Sequence, residues 1–281
     1  MLSYRHGFHA GNHADVLKHC LLVALLGQLT QKDKPLYVVD THAGAGVYSL
    51  EEGYATRLAE HEAGIGALWS RRDLPPVVEA YVAQVRRANP DGMLRRYPGS
   101  PQVAQQVLRP QDRLRLFERH PTEVRMLADW ARDAGRQVSV TAGDGFAGLR
   151  AVLPPPSRRG MALIDPSYET AGDYHDVLAA VRDAQQRFPT GVYAVWYPLL
   201  QRREAERLPG QLRQAALGDW LDAALRVTAP AADGFGLHGS GMFVFNPPWK
   251  LEAAMRSALP TLAAALGRDE GAGFNLDFRQ T

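Results

Sequence analysis

The fold is decided by the stretch LYVVDTHAGAG at residues 36–46, in which an apolar run opens into a turn with two glycines. A short apolar run of this kind is typical of a strand that is buried on both faces of a parallel sheet. Glycine in the turn permits positive φ angles and lets a ligand approach the backbone closely. The stretch therefore predicts the first strand of an α/β sheet with a ligand-binding turn at its carboxyl end.

Further apolar runs alternate with segments of helical periodicity along the chain. The predicted strands are 36–40, 114–118, 138–142, 161–165, 192–196 and 242–246, and the predicted helices are 15–29, 121–134, 174–188, 203–216 and 251–266. Such alternation favours an α/β fold with a mainly parallel sheet and helices on both faces.

A chain of 281 residues can bury one large core, and one domain with an insertion is as plausible as two domains. The segment 53–98 breaks the alternation, because its helical stretches, 59–69 and 77–88, have no clear strand between them. We predict a helical insertion at 53–98 within a domain formed by 1–52 and 99–281. Ser100 is expected to cap the helix that follows, and the tail 267–281 is expected to be weakly ordered.

Charge and cysteine content indicate which classes of protein the chain can belong to. The net charge is +2, and the single cysteine, Cys20, excludes an internal disulfide and fits a reducing compartment, so we expect a cytoplasmic protein. We find no membrane or export segment. Arginine occurs in five doublets, at 71–72, 86–87, 95–96, 158–159 and 202–203, and its guanidinium suits phosphate. The doublets predict either nucleic-acid contacts or solvated helix faces.

Acidic residues follow the predicted strands at positions suited to an adenosine-containing ligand. Gly44 lies in the first turn, while Ser49 stands where a dinucleotide fingerprint would have its third glycine, so NAD is not favoured. Glu118 at the end of the next strand could accept the ribose hydroxyls. Asp144 after the third strand could accept an adenine amine. Either acid alone could equally be a helix cap or a turn residue.

The tetrapeptide Asp165-Pro166-Ser167-Tyr168 joins an acid, a proline turn and an aromatic ring at the end of the fourth strand. Asp165 and the carbonyl oxygen of Pro166 could accept the two hydrogens of an adenine amine, and Tyr168 could stack on an extruded base. A similar motif at 246–249 begins with Asn246. We favour Asp165 because its strand lies near the point where the strand order reverses, whereas Asn246 ends the last strand.

The chain resembles the S-adenosylmethionine-dependent 23S rRNA adenine N6-methyltransferases of the large-subunit methyltransferase J type. The resemblance covers nearly the whole chain and begins with the unusual block YRHGFHAGNHADVLKH at residues 4–19. It continues through the segments 40–46, 97–101, 157–160 and 246–250. The departure from the family motif is Ser167, where the family has a second proline, so the turn gains a backbone N–H and a freer φ.

The resemblance implies a Rossmann-like enzyme with a small helical subdomain that methylates N6 of one adenine in 23S rRNA without a metal. It assigns S-adenosylmethionine binding to His19, His42, Ser100, Glu118, Gly143, Asp144 and Asp165. It assigns catalysis to Asp165 and Tyr168, and contact with the substrate to Tyr4, His6 and Lys18. We expect the enzyme to be a monomer that acts on protein-free rRNA without an obligate protein partner.

Three other interpretations stay open at the level of sequence. The first is an RNA-binding module that has kept the fold and lost the chemistry, and the second is a DNA adenine N6-methyltransferase. The third is a zinc hydrolase, because His9 and His13 have the spacing of helical metal ligands. No glutamate lies between these histidines and Gly11 interrupts the helix, so a metal site is disfavoured.

Overall fold

The computed structural model describes residues 6–52 and 58–280. The helices in these ranges are α1 (His13–Leu29), α2 (Ala67–Trp69), α3 (Pro76–Arg87), α4 (Ser100–Val107), α5 (Pro121–Asp133), α6 (Gly145–Val152), α7 (Ala171–Arg187), α8 (Arg203–Ala215) and α9 (Leu251–Leu266). The strands are β1 (Tyr37–Asp40), β2 (Val47–Ser49), β3 (Arg96–Pro98), β4 (Arg113–Glu118), β5 (Val138–Ala142), β6 (Gly160–Ile164), β7 (Val192–Leu199), β8 (Trp220–Arg226), β9 (Gly239–Phe245) and β10 (Gly273–Arg279).

The central sheet has the strand order β10-β8-β9-β7-β6-β1-β4-β5. The pairs β1–β4, β1–β6, β4–β5 and β6–β7 are parallel, whereas β9 runs antiparallel to both β7 and β8. The strand order reverses at β1, where β4 and β6 pair with its two edges. This arrangement confirms the predicted Rossmann-like sheet, and it places the reversal point beside the glycine turn.

Helices cover both faces of the sheet, as predicted. One hydrophobic cluster packs α1, α3, α4 and α9 against one face, and a second cluster packs α6, α7 and α8 against the other. Helix α1 lies inside the first cluster, and every residue from His13 to Leu26 is buried. Because α1 is enclosed on all sides, the polar groups in its first turns must find partners in the protein or in a ligand.

The segment 53–98 was predicted to contain two helices, and its described part contains more. A π-helical turn, Glu62–Gly66, precedes α2, so the first predicted helix is short and irregular. The strands β2 and β3 pair antiparallel as a second, two-stranded sheet that the sequence had not indicated. Ile65 and Tyr81 join the same hydrophobic cluster as α1. The division into the domain and the insertion stays a prediction.

Two expectations about order and capping were wrong. The tail was expected to be weakly ordered, but β10 pairs with β8 along the edge of the central sheet. Ser100 was expected to cap a helix, but it is the first residue of α4, after Gly99, and its hydroxyl donates to Asp40. Among the described residues, no helix is long and apolar enough to cross a membrane.

Candidate active site

A cavity of about 600 Å³ opens at the carboxyl edge of the parallel strands. This volume lies in the range of pockets that bind small molecules and cofactors. Its wall is formed by the first turns of α1, by the turn after β1 and by residues that follow β4, β6 and β7. Of the predicted site residues, it contains His6, Lys18, His19, His42, Ser100, Glu118 and Asp165, together with Gly44.

Lys18 connects α1 to the end of β6. Its Nζ lies 2.7 Å from Oδ2 of Asp165 and 2.8 Å from Oδ1 of Asp15, and it is 5% exposed. Burial acts to lower the pKa of Lys18, but the two carboxylates raise it by more, so the group is a buried cation. The ammonium thus fixes the Asp165 carboxylate, whose Oδ1 has no hydrogen-bond partner in the described part of the chain.

Asp15 holds the start of α1 together. Its Oδ2 accepts a hydrogen bond from the backbone N–H of Gly11 and lies 2.9 Å from Nε2 of His6. Burial alone would raise the pKa of Asp15, but His6 and Lys18 hold it well below its usual range. Asn12 caps the helix through its side-chain oxygen. The carboxylate therefore joins two of the three predicted substrate residues, His6 and Lys18.

The turn after β1 has the predicted geometry. Gly44 has φ +62° and Gly46 has φ +84°, and a Cβ on Gly44 would overlap the hydroxyl of Tyr48. The N–H of Gly44 donates to Oε2 of Glu118 at 2.9 Å. Oε1 of Glu118 accepts from the N–H groups of the two residues that follow it. Glu118 is thus anchored beside the glycine turn, as a ribose-binding acid would need to be.

Ser100 and His42 are both held by Asp40, which sequence reasoning did not assign to the site. The Ser100 hydroxyl donates to Oδ2 of Asp40 at 2.6 Å, and the His42 N–H donates to Oδ1 at 3.2 Å. Burial raises the pKa of Asp40 to about 6. Burial also lowers the pKa of His42, although the surrounding acids Asp165 and Glu118 oppose this effect. The His42 ring is therefore neutral at pH 7.

His19 offers a free ring nitrogen to the cavity. Its Nδ1 lies 2.8 Å from the hydroxyl of Tyr97, which lies 3.0 Å from that of Tyr81. Burial lowers the pKa of His19 to about 3, so the ring is neutral at pH 7. Its Nε2 is buried without a hydrogen-bond partner among the described residues. Such a group indicates a ligand contact, because buried polar atoms are normally paired.

Gly143 and Asp144 lie outside the cavity wall. The N–H of Gly143 donates to the carbonyl oxygen of Glu118, and Asp144 caps α6 by accepting from the N–H of Ala147 at 2.9 Å. The helix cap is the alternative role that the sequence left open for Asp144. Gly145 brings α6 close to β1, since a Cβ there would overlap the carbonyl of Thr41. Cofactor contact by Gly143 and Asp144 stays a prediction.

Tyr168 packs in the protein interior in this structure. The side chain is 3% exposed, its ring contacts those of Tyr174 and Trp196, and its hydroxyl donates to the carbonyl of Trp196 at 2.7 Å. Its φ is +52°, in the left-handed region that is uncommon for tyrosine. The ring does not line the cavity, so stacking on the substrate base stays a prediction. Tyr4 lies outside the described residues.

Asn246 lies at the opposite edge of the sheet. Because β9 runs antiparallel to β7, the residue after β9 adjoins the start of β7. Its Nδ2 donates to the carbonyls of Pro189 and Gly191 at 2.8 and 2.7 Å. Asp165 therefore lines the cavity and Asn246 does not, while the catalytic role of Asp165 stays a prediction.

Several cavity residues were missed by sequence reasoning. They are Asn12, His13, Asp15, Glu60, Trp196, Pro198, Leu200, Leu237 and Arg268. The block at 4–19 carried a signal for those in α1, whereas nothing local marks Trp196 or Arg268, which the folding of β7 and the tail brings to the site. Among the described residues, no three histidine, cysteine or acidic side chains are placed to hold a metal ion.

The arginine doublets are partly used inside the protein. Arg86 pairs with Glu79 at 2.5 Å, and Arg95 contacts Glu51 at 3.1 Å. Arg159 donates to the carbonyls of Leu29 and Lys34. These contacts give one member of each of these doublets a structural role, as the alternative interpretation allowed.

Comparison with known proteins identifies the family of this chain. Residues 33–279 match the family described as ribosomal RNA large subunit methyltransferase D, RlmJ. Two relatives are named ribosomal RNA large subunit methyltransferase J. The one from Escherichia coli (strain K12) is 46% identical over 267 residues, which cover 95% of this chain and 94% of that protein. The one from Haemophilus influenzae is 43% identical with the same coverage.

A solved structure is also similar throughout. The crystal structure of a protein from Legionella pneumophila str. Philadelphia 1 has a TM-score of 0.87 and 35% identity, covering 96% of this chain and 98% of that one. The fold and the cavity define a Rossmann-like methyltransferase. The chain belongs to the RlmJ family of ribosomal RNA large subunit methyltransferases. This finding confirms the resemblance and the prediction that the protein is a methyltransferase.

Proposed function

We propose that the enzyme transfers a methyl group from S-adenosylmethionine to the N6 amine of one adenine in 23S rRNA. One observation carries the proposal: Asp165, which follows β6, and Glu118, which ends β4, share the cavity beside Gly44. An acid suited to an amine and an acid suited to a ribose thus face the same space. We propose the cytoplasm as the site of the reaction, and a monomer that acts on protein-free rRNA without an obligate protein partner.

The cavity fits the cofactor in two respects. His19 Nε2 is a buried polar atom that needs a partner, and the N–H of Gly44 fixes the carboxylate of Glu118 in the cavity wall. We propose that His19, His42, Ser100, Glu118, Gly143 and Asp144 hold S-adenosylmethionine, with Glu118 accepting hydrogen bonds from the ribose hydroxyls. The cofactor, when bound, supplies an electrophilic methyl group on a sulfonium.

Asp165 acts on the substrate amine. Its Oδ2 accepts from Lys18, so Oδ1 remains to accept one amine hydrogen, and the carbonyl oxygen of Pro166 accepts the other. These two acceptors direct the nitrogen lone pair away from the ring plane, and the carboxylate stabilises the positive charge that develops on N6. The N–C bond forms as the S–C bond breaks, and N6 then releases one proton to solvent. Lys18 and His6 position the acid and the base, with Tyr4 and Tyr168 as the aromatic contacts.

The test replaces Asp165 by asparagine, which keeps an oxygen for Lys18 and removes the charge. A charge-assisted hydrogen bond contributes about 1.5–3 kcal/mol, so the rate on protein-free 23S rRNA should fall about ten- to a hundredfold. Label from S-adenosylmethionine is measured in the RNA and mapped to adenine N6 by mass spectrometry. Asn246→Ala, at the opposite edge of the sheet, is the matched control.

Three results would contradict the proposal. The first is a normal rate of methylation by Asp165→Asn, and the second is label that accumulates on a matched DNA and not on the RNA. The third is binding of 23S rRNA without transfer of label, which would make the protein a binding module. Thermal unfolding of each variant establishes that a loss of rate is not a loss of fold.

A further inference from the structure

The loop between β8 and β9 presents an exposed aromatic ring beside the cavity. Phe235 is 79% exposed, while the next two residues, Gly236 and Leu237, line the cavity wall. A single exposed phenylalanine needs no partner, but this ring directly precedes two residues of the cavity wall, where an entering ligand can reach it. The position of the ring therefore indicates a contact with whatever enters the cavity.

The loop is held in place by hydrogen bonds. The N–H of Phe235 donates to Oδ1 of Asp233 at 3.0 Å, and Gln201 donates to the carbonyl of Ala231 at 2.6 Å. Val227 and His238 pair through their backbones at the base of the loop. The ring of Phe235 is thus carried on a preorganised loop, which lowers the entropic cost of contact with a ligand.

A basic side chain lies next to this loop. Arg268 lines the cavity, and its backbone N–H donates to the carbonyl of Val227 at 2.7 Å. Asp269 ties the same segment to the loop by accepting from Thr228 and from the N–H of Ala229. The Arg268 guanidinium makes no hydrogen bond or ion pair within 6–52 and 58–280, so its donors remain available to an anion.

His13 adds a second polar group to the same wall. It is 4% exposed, it lines the cavity, and its Nδ1 has no hydrogen-bond partner among the described residues. Burial and the nearby charge of Arg268 lower the pKa of His13 to about 4, so the neutral ring can donate one hydrogen bond without adding charge. A buried unpaired nitrogen beside a free guanidinium fits a phosphate or ribose oxygen.

We propose that Phe235, Arg268 and His13 form a binding site for the nucleotide adjacent to the methylated adenosine. Phe235 stacks on the neighbouring base, and Arg268 and His13 contact its phosphate. The site rests on the proposed RNA methyltransferase function and extends it, because a base extruded into the cavity brings its flanking backbone to the cavity rim. Aromatic stacking tolerates any base, so the site contributes affinity more than sequence selection.

The test measures steady-state methylation of protein-free 23S rRNA by Phe235→Ala and Arg268→Ala. The KM for RNA should rise between about fivefold and a hundredfold in Phe235→Ala, as loss of one stacked base implies. The kcat at saturating RNA and the KM for S-adenosylmethionine should stay unchanged, and Phe235→Trp should restore the KM for RNA. In Arg268→Ala, the salt dependence of RNA binding should become shallower by about one phosphate contact.

The controls are Phe278→Ala on β10, 41% exposed, and Arg256→Ala on the exposed face of α9. Both should leave the KM for RNA within about twofold of the unaltered enzyme, the range of minor surface effects. A normal KM for RNA in both Phe235→Ala and Arg268→Ala, equal changes in the controls, or a change only in the KM for S-adenosylmethionine would each overturn the site. If the unaltered enzyme leaves 23S rRNA unlabelled, the proposed function itself is wrong.

Discussion

Asp40 is a buried acid whose negative charge lowers the free energy of unfolding. The substitution Asp40→Asn, which removes the charge, tests this effect. Its carboxyl group is 3% exposed, and burial raises its pKa from 3.8 to about 6. A raised pKa in the folded state means that stability from this group is present below pH 3.8 and lost as the pH rises through 6. At 1.36 kcal/mol per pKa unit, the ionised acid reduces the free energy of unfolding by about 3 kcal/mol at pH 8.

The asparagine variant keeps the acceptor for the Ser100 hydroxyl but loses one of the two carboxylate oxygens. Loss of the hydrogen bond from the His42 N–H costs about 1 kcal/mol or somewhat more at every pH. The variant should therefore be more stable than the unaltered protein by about 1–2 kcal/mol at pH 8, and slightly less stable at pH 4. The difference between the two proteins should change by about 2–3 kcal/mol over this interval.

Urea unfolding of both proteins at pH 4, 5, 6, 7 and 8 measures this difference directly. Asp112→Asn is the matched control, because Asp112 is also buried but accepts from Arg109 and from the N–H of Leu36. Burial acts to raise the pKa of Asp112, and Arg109 and the backbone donors lower it overall. Its stabilisation is present above pH 3.8 and lost in acid, so this variant should be less stable at pH 8. A pH-independent difference for Asp40→Asn would refute the reasoning.

Two further changes test the cavity wall. Lys18→Met leaves two buried carboxylates without their cation, so the free energy of unfolding should fall by about 3–5 kcal/mol in urea, and an unchanged value would contradict the buried ion pairs. Gly44→Ala places a Cβ against the hydroxyl of Tyr48 at a positive φ, so S-adenosylmethionine binding measured by calorimetry should weaken at least about tenfold, or 1.4 kcal/mol. Gly27→Ala, in α1 with open space around it, should bind normally and gain about 0.5–1 kcal/mol of stability.

The parallel half of the sheet could be predicted because β1, β6 and β7 are continuous apolar runs, while apolar residues alternate with polar ones in β4 and β5. Strand β8 could not, since Asp222 interrupts its apolar pattern. That acid is buried only because Arg213 and Tyr197 contact it, at 2.9 and 2.5 Å. Strand β10 has a largely exposed surface, so its residues carry no core pattern, and its place is set by pairing with β8. Pairing across distant segments leaves no local signal.

The acids at the carboxyl edge could be predicted from their order along the chain, but their partners could not. Lys18 is separated from Asp165 by 147 positions, and only the burial of α1 brings the two together. Ser100 looked like a helix cap because serine favours that position, yet its hydroxyl reaches Asp40 across the fold. A hydrogen bond to a charged group contributes about 1.5–3 kcal/mol, which is more than the roughly 1 kcal/mol of a helix cap.

Asp165 and Asn246 show why strand direction, and not the local motif, assigns the chemistry. Both residues end an apolar strand and precede proline, but β6 is parallel to β1 while β9 runs the other way, so they reach opposite edges. The side chains match these places. The amide of Asn246 donates to two carbonyl oxygens, which a carboxylate would repel, whereas the carboxylate of Asp165 accepts from a buried ammonium and, in the proposed reaction, keeps an oxygen for an amine. A carboxylate therefore suits the position that must accept a hydrogen bond, and an amide suits the position that must donate one.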